Sequence, residues 1–347
     1  MKSRKIVVIG GGTGIYSTLT GLKRYSQAIT AVVTMADDGG SSGRLRDEFG
    51  HLPPGDVRRC LLALSPNRRV NSILRDLFEY RFDKGAGLKG HSFGNLLLTA
   101  LAELTGSMEV AIQEASRLLN VRGMVLPVTT DNVRLCAELE NGTLISGEHN
   151  IDVRTVAPEV RIKHVFLSPG ARIYPPAREA ILNADVIVLG PGDLYTSLLP
   201  NLSVEGLREA VMASSAQRIY VCNLMTKHGE TDGFKASDFL AEVSSYLDGT
   251  GSFTDMIVNT EYIPSTVLDK YAREKAFQVV ADMDACLKLV PSVYDGPLVT
   301  RGGLIRHDPT KLARLIMRSV NDYESSRFSE SSSEPVSLAA YRRARNL

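Results

Sequence analysis

Short runs of β-branched and apolar residues recur along the chain, and the first two are each followed by a glycine-rich segment. Residues 5–9 read Lys-Ile-Val-Val-Ile, and residues 29–34 read Ile-Thr-Ala-Val-Val-Thr. These runs predict strands at about 4–9 and 29–34, with a helix near 14–24 between them. The three elements make a βαβ unit, in which the strands pair in parallel through a right-handed crossover.

The apolar pattern changes in the middle of the chain. Residues 50–120 show mainly helical spacing. Between about 122 and 167, strand-like residues flank the dipeptide Asn141-Gly142. This dipeptide favours a type I′ hairpin turn, because both turn residues need positive φ. We therefore expect a helical insertion at about 50–120 and a small antiparallel hairpin excursion at about 122–167.

Three later apolar runs restore the α/β rhythm, at residues 185–189, 218–222 and 256–258. Near-continuous apolar runs are typical of strands covered on both faces. The predicted fold class is α/β, a Rossmann-like, mostly parallel sheet with helices on both faces. We expect one domain over residues 1–324. Residues 325–347 are Ser-rich at their start and predict a disordered tail.

Composition narrows the functional classes. The 347 residues carry a formal net charge of +1, so no global field would attract nucleic acid or a membrane. No apolar run reaches the roughly 18 residues of a membrane span, and residues 1–5 lead into a strand rather than a signal-peptide apolar region. The four cysteines are widely spaced. They predict reduced thiols in a cytoplasmic protein, with no metal held by cysteine.

The first glycine-rich loop follows strand 1 and comprises Gly10, Gly11, Gly12, Thr13 and Gly14. Glycine lets the backbone approach an anion closely, and a helix start presents unpaired N–H groups. Where a dinucleotide fingerprint has its third glycine, this chain has Ile15. The loop therefore favours phosphate binding over NAD. A tight strand-to-helix turn without a ligand is the alternative.

The second loop follows strand 2 and contains Asp37, Asp38, Gly40, Ser41, Ser42 and Arg44. An acidic residue at this position of a Rossmann fold accepts hydrogen bonds from ribose hydroxyls, and it could also hold Mg²⁺ through water. The alternative role is an N-cap or Asx turn. We expect one of the two aspartates to be structural and the other to face a ligand. The glycines, hydroxyls and guanidinium that follow suit an anion.

Polar residues also begin one predicted helix and follow two later strands. His91 and Asn95 flank the predicted N-cap Ser92, where a helix start favours negative charge. Gly190, Gly192, Tyr195 and Thr196 follow the predicted strand at 185–189. Asn223 and Thr226 follow the predicted strand at 218–222. Ligands of open α/β sheets sit at the carboxyl ends of strands, so these loops predict one shared crevice.

Six motifs together resemble one known family. They are Gly-Gly-Gly-Thr-Gly (10–14), Asp-Asp-Gly-Gly-Ser-Ser-Gly-Arg-Leu-Arg (37–46), Pro-Pro-Gly-Asp-Val-Arg-Arg-Cys-Leu (53–61), Gly-His-Ser-Phe-Gly-Asn (90–95), Gly-Pro-Gly-Asp-Leu-Tyr-Thr-Ser (190–197) and Asn-Leu-Met-Thr (223–226). The set resembles the YvcK branch of the CofD-like proteins, known as gluconeogenesis factors, from about residue 4 to 320.

The resemblance implies a cytoplasmic, Rossmann-like protein that is needed for cell shape under gluconeogenic growth and that binds UDP-sugars such as UDP-N-acetylglucosamine. It also implies that Tyr271 and Arg306 belong to the nucleotide-sugar site. Tyrosine can stack on uracil or bond a hydroxyl, and arginine can grip a diphosphate. The resemblance implies serine at position 193 in many relatives, and the negative charge of Asp193 would oppose a phosphate unless the side chain points away or meets a metal.

The leading hypothesis is a regulator whose surface changes when a UDP-sugar binds, so that an unidentified protein partner can respond. The second is a CofD-like transferase, with Mg²⁺ at an acidic residue, that moves a phospholactyl-type group to a deazaflavin. A nicotinamide dehydrogenase is a weaker third. No metal site and no cofactor are predicted for the regulator. We expect no membrane insertion, and a homodimer is expected only because dimers are common.

Overall fold

A computed structural model describes residues 4–66, 72–300 and 303–331 of the chain. Its larger sheet has seven strands: β1 (Ile6–Gly10), β2 (Ile29–Val33), β3 (Met124–Pro127), β7 (Val186–Leu189), β8 (Gln217–Val221), β9 (Asp255–Asn259) and β10 (Ser292–Gly296). A smaller sheet has three: β4 (Arg134–Leu139), β5 (Leu144–Ser146) and β6 (Ile162–Ser168).

The larger sheet is parallel throughout, in the order β10-β9-β8-β7-β1-β2-β3. From β1 the chain winds outward through β2 and β3, then returns to β7 on the other side of β1 and winds the opposite way. The strand order therefore reverses between β1 and β7, which is where doubly wound folds bind their ligands. The predicted α/β, Rossmann-like class is confirmed.

Helices cover both faces of this sheet. They are α1 (Gly12–Leu22), α2 (Gly40–Phe49), α3 (Gly55–Leu64), α4 (Ser72–Glu79), α5 (Phe93–Thr105), α6 (Met108–Leu118), α7 (Glu148–Asp152), α8 (Pro175–Leu182), α9 (Leu199–Leu202), α10 (Leu207–Ala213), α11 (Ala236–Ser245), α12 (Ser265–Ala272), α13 (Met283–Cys286) and α14 (Pro309–Ser331). A π-helical turn, Leu194–Leu198, leads from β7 into α9. None of the helices that the structure describes is both long and apolar enough to cross a bilayer.

Two buried apolar clusters lie on opposite faces of the sheet. Successive side chains of a strand point to opposite faces, so β1 supplies Val7 and Ile9 to one cluster and Ile6 and Val8 to the other. All five residues of β1 are buried. The strand ends that form the site are therefore fixed on both faces by packing.

The hairpin predicted around Asn141-Gly142 is present, and β4 pairs antiparallel with both β5 and β6. The turn type differs from the prediction. Gly142 has φ +81°, but Asn141 is not among the described non-glycine residues with positive φ. The Gly142 N–H donates to the Leu139 carbonyl, and the Leu139 N–H to the Thr143 carbonyl, each at 2.9 Å. This is a type I turn closed by a glycine bulge, which places only one residue in the left-handed region.

Helix α14 extends past residue 325, where we expected disorder to begin. Its side chains reach the start of β1, and the Glu324 carboxylate accepts from the Arg4 guanidinium at 2.6 Å. This ion pair stabilises the helix near its C-terminal end, and the helix continues to Ser331. The remainder of the predicted tail, residues 332–347, lies outside the described residues.

Candidate functional site: a crevice at the point where the strand order reverses

A two-lobed crevice lies at the carboxyl ends of β1, β2, β7 and β8. The Arg306 lobe has a volume of about 170 Å³ and is lined by Gly12, Thr13, Gly14, Ser17, Pro191, Gly192, Asp193, Ser197, Asn223, Leu224, Met225, Ile305, Arg306 and His307. The Ser41 lobe has a volume of about 390 Å³ and is lined by Gly12, Thr13, Asp37, Gly39, Gly40, Ser41, Ser42, Gly55, Asp56, Arg58, Arg59, Arg81, Asn95, Glu148, His149, Asp152, Asp193, Thr196 and Ser197. Gly12, Thr13, Asp193 and Ser197 line both lobes and form their junction.

Three helices begin at the crevice, and in none of them does the N-cap residue's own side chain cap the helix. The N-caps of α1, α2 and α3 are Gly11, Gly39 and Pro54. The Gly39 N–H donates to Asp37 Oδ1, and the Gly12 N–H donates to Asp56 Oδ2. The first turn of a helix leaves its N–H groups without acceptors inside the helix and carries a partial positive charge. The helix starts therefore favour an anion, whereas the Asp37, Asp56 and Asp193 carboxylates on the same wall oppose one.

Close packing explains two of the glycines better than direct ligand contact does. A Cβ on Gly11 would lie 2.6 Å from Asp56 Oδ2, and a Cβ on Gly14 would lie 2.0 Å from the Pro191 carbonyl oxygen. These glycines let the loop after β1 pack against α3 and against the loop after β7. Gly12 has φ +64°, and its N–H donates to Asp56 Oδ2 at 2.9 Å. That amide, which we expected to face a ligand, is already held by a carboxylate.

The two aspartates of the second loop lie in different surroundings. Asp38 accepts from the His149 N–H at 2.7 Å and lies 3.7 Å from the Arg46 guanidinium, so it ties α2 to α7 and does not line the crevice. Asp37 lines the Ser41 lobe and accepts from the Gly39 N–H at 3.0 Å. Burial, and then the neighbouring Asp56 carboxylate, raise the pKa of Asp37 to about 6.

Several charged residues that line the Ser41 lobe were not predicted from the sequence as site residues, among them one glutamate and three arginines. Glu148 comes from α7, and burial followed by the nearby Asp37, Asp152 and Asp38 carboxylates raises its pKa to about 9. Arg58, Arg59 and Arg81 come from the helical region. Apart from the motif Pro-Pro-Gly-Asp-Val-Arg-Arg, which holds two of these arginines, nothing in the local sequence pattern signals these residues, because the tertiary fold brings them to the cavity.

A hydrogen-bond network holds the wall of the Ser41 lobe. Arg58 is 8% exposed, and its Nε donates to Asn95 Oδ1 at 2.9 Å. Asn95 Nδ2 donates in turn to Ser41 Oγ at 3.1 Å, and Ser41 Oγ lies 3.0 Å from His91 Nδ1. His91 is buried behind Ser41, and burial lowers its pKa. His91 therefore orients Ser41 and does not itself line the cavity.

Nine of the predicted site residues lie away from the cavity wall: Gly10, Gly11, Asp38, Arg44, His91, Gly190, Tyr195, Thr226 and Tyr271. Arg44 donates outward to the Lys89 carbonyl at 2.9 Å. Thr226 is buried, and its Oγ1 accepts from the Phe277 N–H. Tyr195 is 2% exposed and belongs to the core; burial, followed by the Glu242 carboxylate to which it is hydrogen-bonded, raises its pKa. Apolar packing overrode the expectation that Tyr195 faces a ligand.

The other twelve line the crevice: Gly12, Thr13, Gly14, Asp37, Gly40, Ser41, Ser42, Asn95, Gly192, Thr196, Asn223 and Arg306. Thr196 Oγ1 and Asn223 Oδ1 are buried, and neither has a hydrogen-bond partner among the described residues. Asn223 Nδ2 donates to the Gly192 carbonyl at 2.9 Å. Both oxygens are thus unpaired acceptors set just behind the cavity wall.

Tyr271 acts on the Arg306 lobe through the backbone. Its hydroxyl oxygen accepts from the Ile305 N–H at 2.7 Å, one residue before Arg306. The Thr300 N–H donates to the Arg306 carbonyl at 2.9 Å. Arg306 itself is exposed at the lobe. The geometry makes Tyr271 a positioning residue for the segment that carries Arg306. Within the described part of the chain, no group of three His, Cys, Asp or Glu side chains is arranged to hold a metal ion.

The chain belongs to a known class of α/β proteins. The family described as 2-phospho-L-lactate transferase CofD matches residues 6–299, and the chain belongs to this family. A gluconeogenesis factor of Halalkalibacterium halodurans is 46% identical over 323 residues, covering 91% of this chain and 97% of that protein. The gluconeogenesis factor of Bacillus subtilis is 44% identical over 317 residues, covering 90% and 97%. Within the CofD family, the chain thus groups with the gluconeogenesis factors.

A solved structure agrees with this assignment. The crystal structure of a UPF0052 family member from Bacillus halodurans superposes with a TM-score of 0.85 at 45% identity, and it covers 91% of this chain and 99% of that one.

Proposed function

We propose that the chain is a cytoplasmic regulator that binds a nucleotide sugar of the UDP-N-acetylglucosamine type across both lobes of the crevice. The observation that carries this proposal is the convergence on one cavity of three helix starts that lack an N-cap side-chain bond, at the point where the strand order reverses. Such ends attract phosphate, and a diphosphate has enough charge to engage more than one of them.

The two lobes suit the two ends of such a ligand. The diphosphate lies at the junction, beside Thr13 at the start of α1. The uridine end takes the Arg306 lobe, which Asn223 lines and where Asn223 Oδ1 has no hydrogen-bond partner among the described residues. The sugar takes the Ser41 lobe, where the Asp37 carboxylate and the Ser42 hydroxyl suit sugar hydroxyls. Occupancy would change the surface that an unidentified protein partner contacts.

The relatives named gluconeogenesis factor support a physiological role in growth on gluconeogenic carbon sources. We propose that this role includes control of cell shape and cell-wall homeostasis. Deleting the gene and complementing it with wild type or Arg306→Ala tests this. Rescue of normal shape by the wild type alone is the expected result, and equal rescue by both would separate the role from nucleotide-sugar binding.

A thermal-shift panel tests the ligand class directly. A ligand that binds only the native state adds about 2.7 kcal/mol of stability at one hundred times its dissociation constant. We expect UDP-N-acetylglucosamine to stabilise the protein more than GDP, GTP or NAD at equal concentration. Stabilisation by NAD alone would contradict the proposal.

A second candidate function, group transfer, is favoured by Asp37 and Asp56. Two neighbouring carboxylates, one with its pKa raised to about 6, suit a general base beside a diphosphate. An acceptor hydroxyl would attack the outer phosphorus of a nucleotide-linked diphosphate. The P–O bond to the nucleotide would break, a nucleoside monophosphate would leave, and the hydroxyl proton would pass to Asp37. Release of nucleoside monophosphate from a nucleotide-linked phospholactyl donor in the presence of a deazaflavin and Mg²⁺ tests this candidate.

A further inference from the structure

Lys227 lies behind the crevice and contacts three carboxylates from three different segments. Its Nζ lies 2.7 Å from Glu230 and 3.3 Å from Asp193 Oδ2, and it also bonds Asp152. Asp152 ends α7, Asp193 precedes the π-helical turn after β7, and Lys227 and Glu230 follow β8. Lys227 itself lines neither lobe.

Asp193 occupies the most sensitive position for an anionic ligand. It is one of the four residues that line both lobes, together with Gly12, Thr13 and Ser197. A diphosphate that spans the lobes must pass this carboxylate. Like charges brought together at a binding site cost affinity, and solvent screens part of this cost because the Asp193 side chain is 50% exposed.

The charge on Lys227 is secured by its surroundings. Burial acts to lower the pKa of Lys227, but the Glu230, Asp193 and Asp152 carboxylates outweigh it and raise the pKa above its usual value. The Glu230 side chain is only 1% exposed, which fixes one end of the cluster in the core. The ammonium is therefore held beside Asp193 and remains protonated at neutral pH.

We propose that Lys227 is an affinity-determining positioning residue, whose ammonium offsets part of the Asp193 charge so that an anionic ligand can lie across the junction of the two lobes. This inference rests on the proposed nucleotide-sugar function and adds a residue that acts without touching the ligand.

Calorimetric titration of the full chain with UDP-N-acetylglucosamine, inorganic pyrophosphate and uridine tests the inference. We expect Lys227→Met to weaken binding of the two anionic molecules by about tenfold or more and to leave uridine binding within about twofold. Adding Asp193→Ser to Lys227→Met should restore the affinity for both anions to within about threefold of wild type, because the uncompensated charge is then gone.

Other outcomes separate this inference from the proposed function. Unchanged anion binding by a folded Lys227→Met variant overturns the inference, as does an equal loss of uridine binding that Asp193→Ser fails to rescue. If Lys227→Met does not fold, the titration of the single variant Asp193→Ser tests the inference instead. Anion binding at least as tight as that of wild type supports the inference, and weaker binding overturns it. Wild type that binds pyrophosphate but not UDP-N-acetylglucosamine overturns the proposed function alone, and wild type that binds neither overturns both.

Discussion

The Gly14 backbone packs against the Pro191 carbonyl so closely that a Cβ at residue 14 would lie 2.0 Å from its oxygen. The loops after β1 and β7 meet at this contact, between the two strands where the order of the sheet reverses. The crevice therefore depends on a glycine that joins its two sides.

Substituting Gly14→Ala should destabilise the protein by about 1–3 kcal/mol, because backbone atoms cannot yield as a side chain does. Urea unfolding measures the change. Gly87→Ala is the matched control, since a Cβ there meets nothing within 4 Å and should leave stability nearly unchanged. Equal stability of the two variants would show that the two loops are not in contact as described.

Arg306→Ala should weaken UDP-N-acetylglucosamine binding by about tenfold or more without loss of stability, because Arg306 is exposed and lines the lobe that we assign to uridine and the adjoining phosphate. Calorimetry gives the affinity and thermal unfolding gives the stability. Arg178→Ala, an exposed arginine of α8 that lines neither lobe, serves as the control. An unchanged titration for Arg306→Ala would remove this residue from the site.

Tyr271→Phe should have a smaller effect than Arg306→Ala. The change removes the acceptor of the Ile305 N–H and leaves the ring in place. Loss of one hydrogen bond costs about 1 kcal/mol, so we expect a several-fold loss of affinity from the loosened segment. If Tyr271→Phe abolished binding as fully as Arg306→Ala does, the hydroxyl would contact the ligand itself rather than Ile305.

Asp37 should make the free energy of unfolding fall as the pH rises from about 4 to about 6. Its pKa is raised from 3.8 to about 6 in the folded protein, so the native state binds more protons than the unfolded state in this window. Asp37→Asn removes this titrating group. The variant should therefore be more stable than wild type by up to about 3 kcal/mol at pH 7 and no more stable at pH 3. Asp269→Asn, at an exposed position of α12, is the comparison. A gain that does not vary with pH would contradict the assignment.

Tyr195→Phe tests whether Tyr195 contributes to the stability of the core or to ligand binding. Tyr195 is buried and hydrogen-bonded to Glu242, so the variant should lose about 1 kcal/mol of stability. Its affinity for UDP-N-acetylglucosamine should stay at the wild-type value. A fall in affinity with stability intact would return Tyr195 to the ligand site.

The sequence was sufficient for five of the seven strands of the larger sheet and for the loops at their ends. It did not predict β10, and it placed the parallel strand β3 within the region expected to be antiparallel. Continuous apolar runs such as that of β1 predict buried parallel strands, and each strand end carries its own glycine and polar residues. Sequence alone could not show which side of a loop faces the cavity. Asp37 faces it whereas Asp38 does not, and Arg44 turns outward to Lys89.

Long-range placement accounts for the rest. Arg81 and Glu148 lie far apart in the chain, in segments without a recognisable binding motif, yet both line the Ser41 lobe. The partner of Asp193 is likewise 34 residues away, at Lys227. Contacts of this kind depend on how the helical region and the small sheet pack over the strand ends. The spacing of residues within a short stretch of sequence does not predict them.

A crystal structure of the protein soaked with UDP-N-acetylglucosamine would show where the ligand binds. We expect diphosphate oxygens at the junction of the lobes, within hydrogen-bond distance of the first-turn amides of α1 or α2, with the uridine end beside Arg306 and the sugar beside Asp37. Density for the ligand at another surface, with the junction unchanged, would contradict this placement.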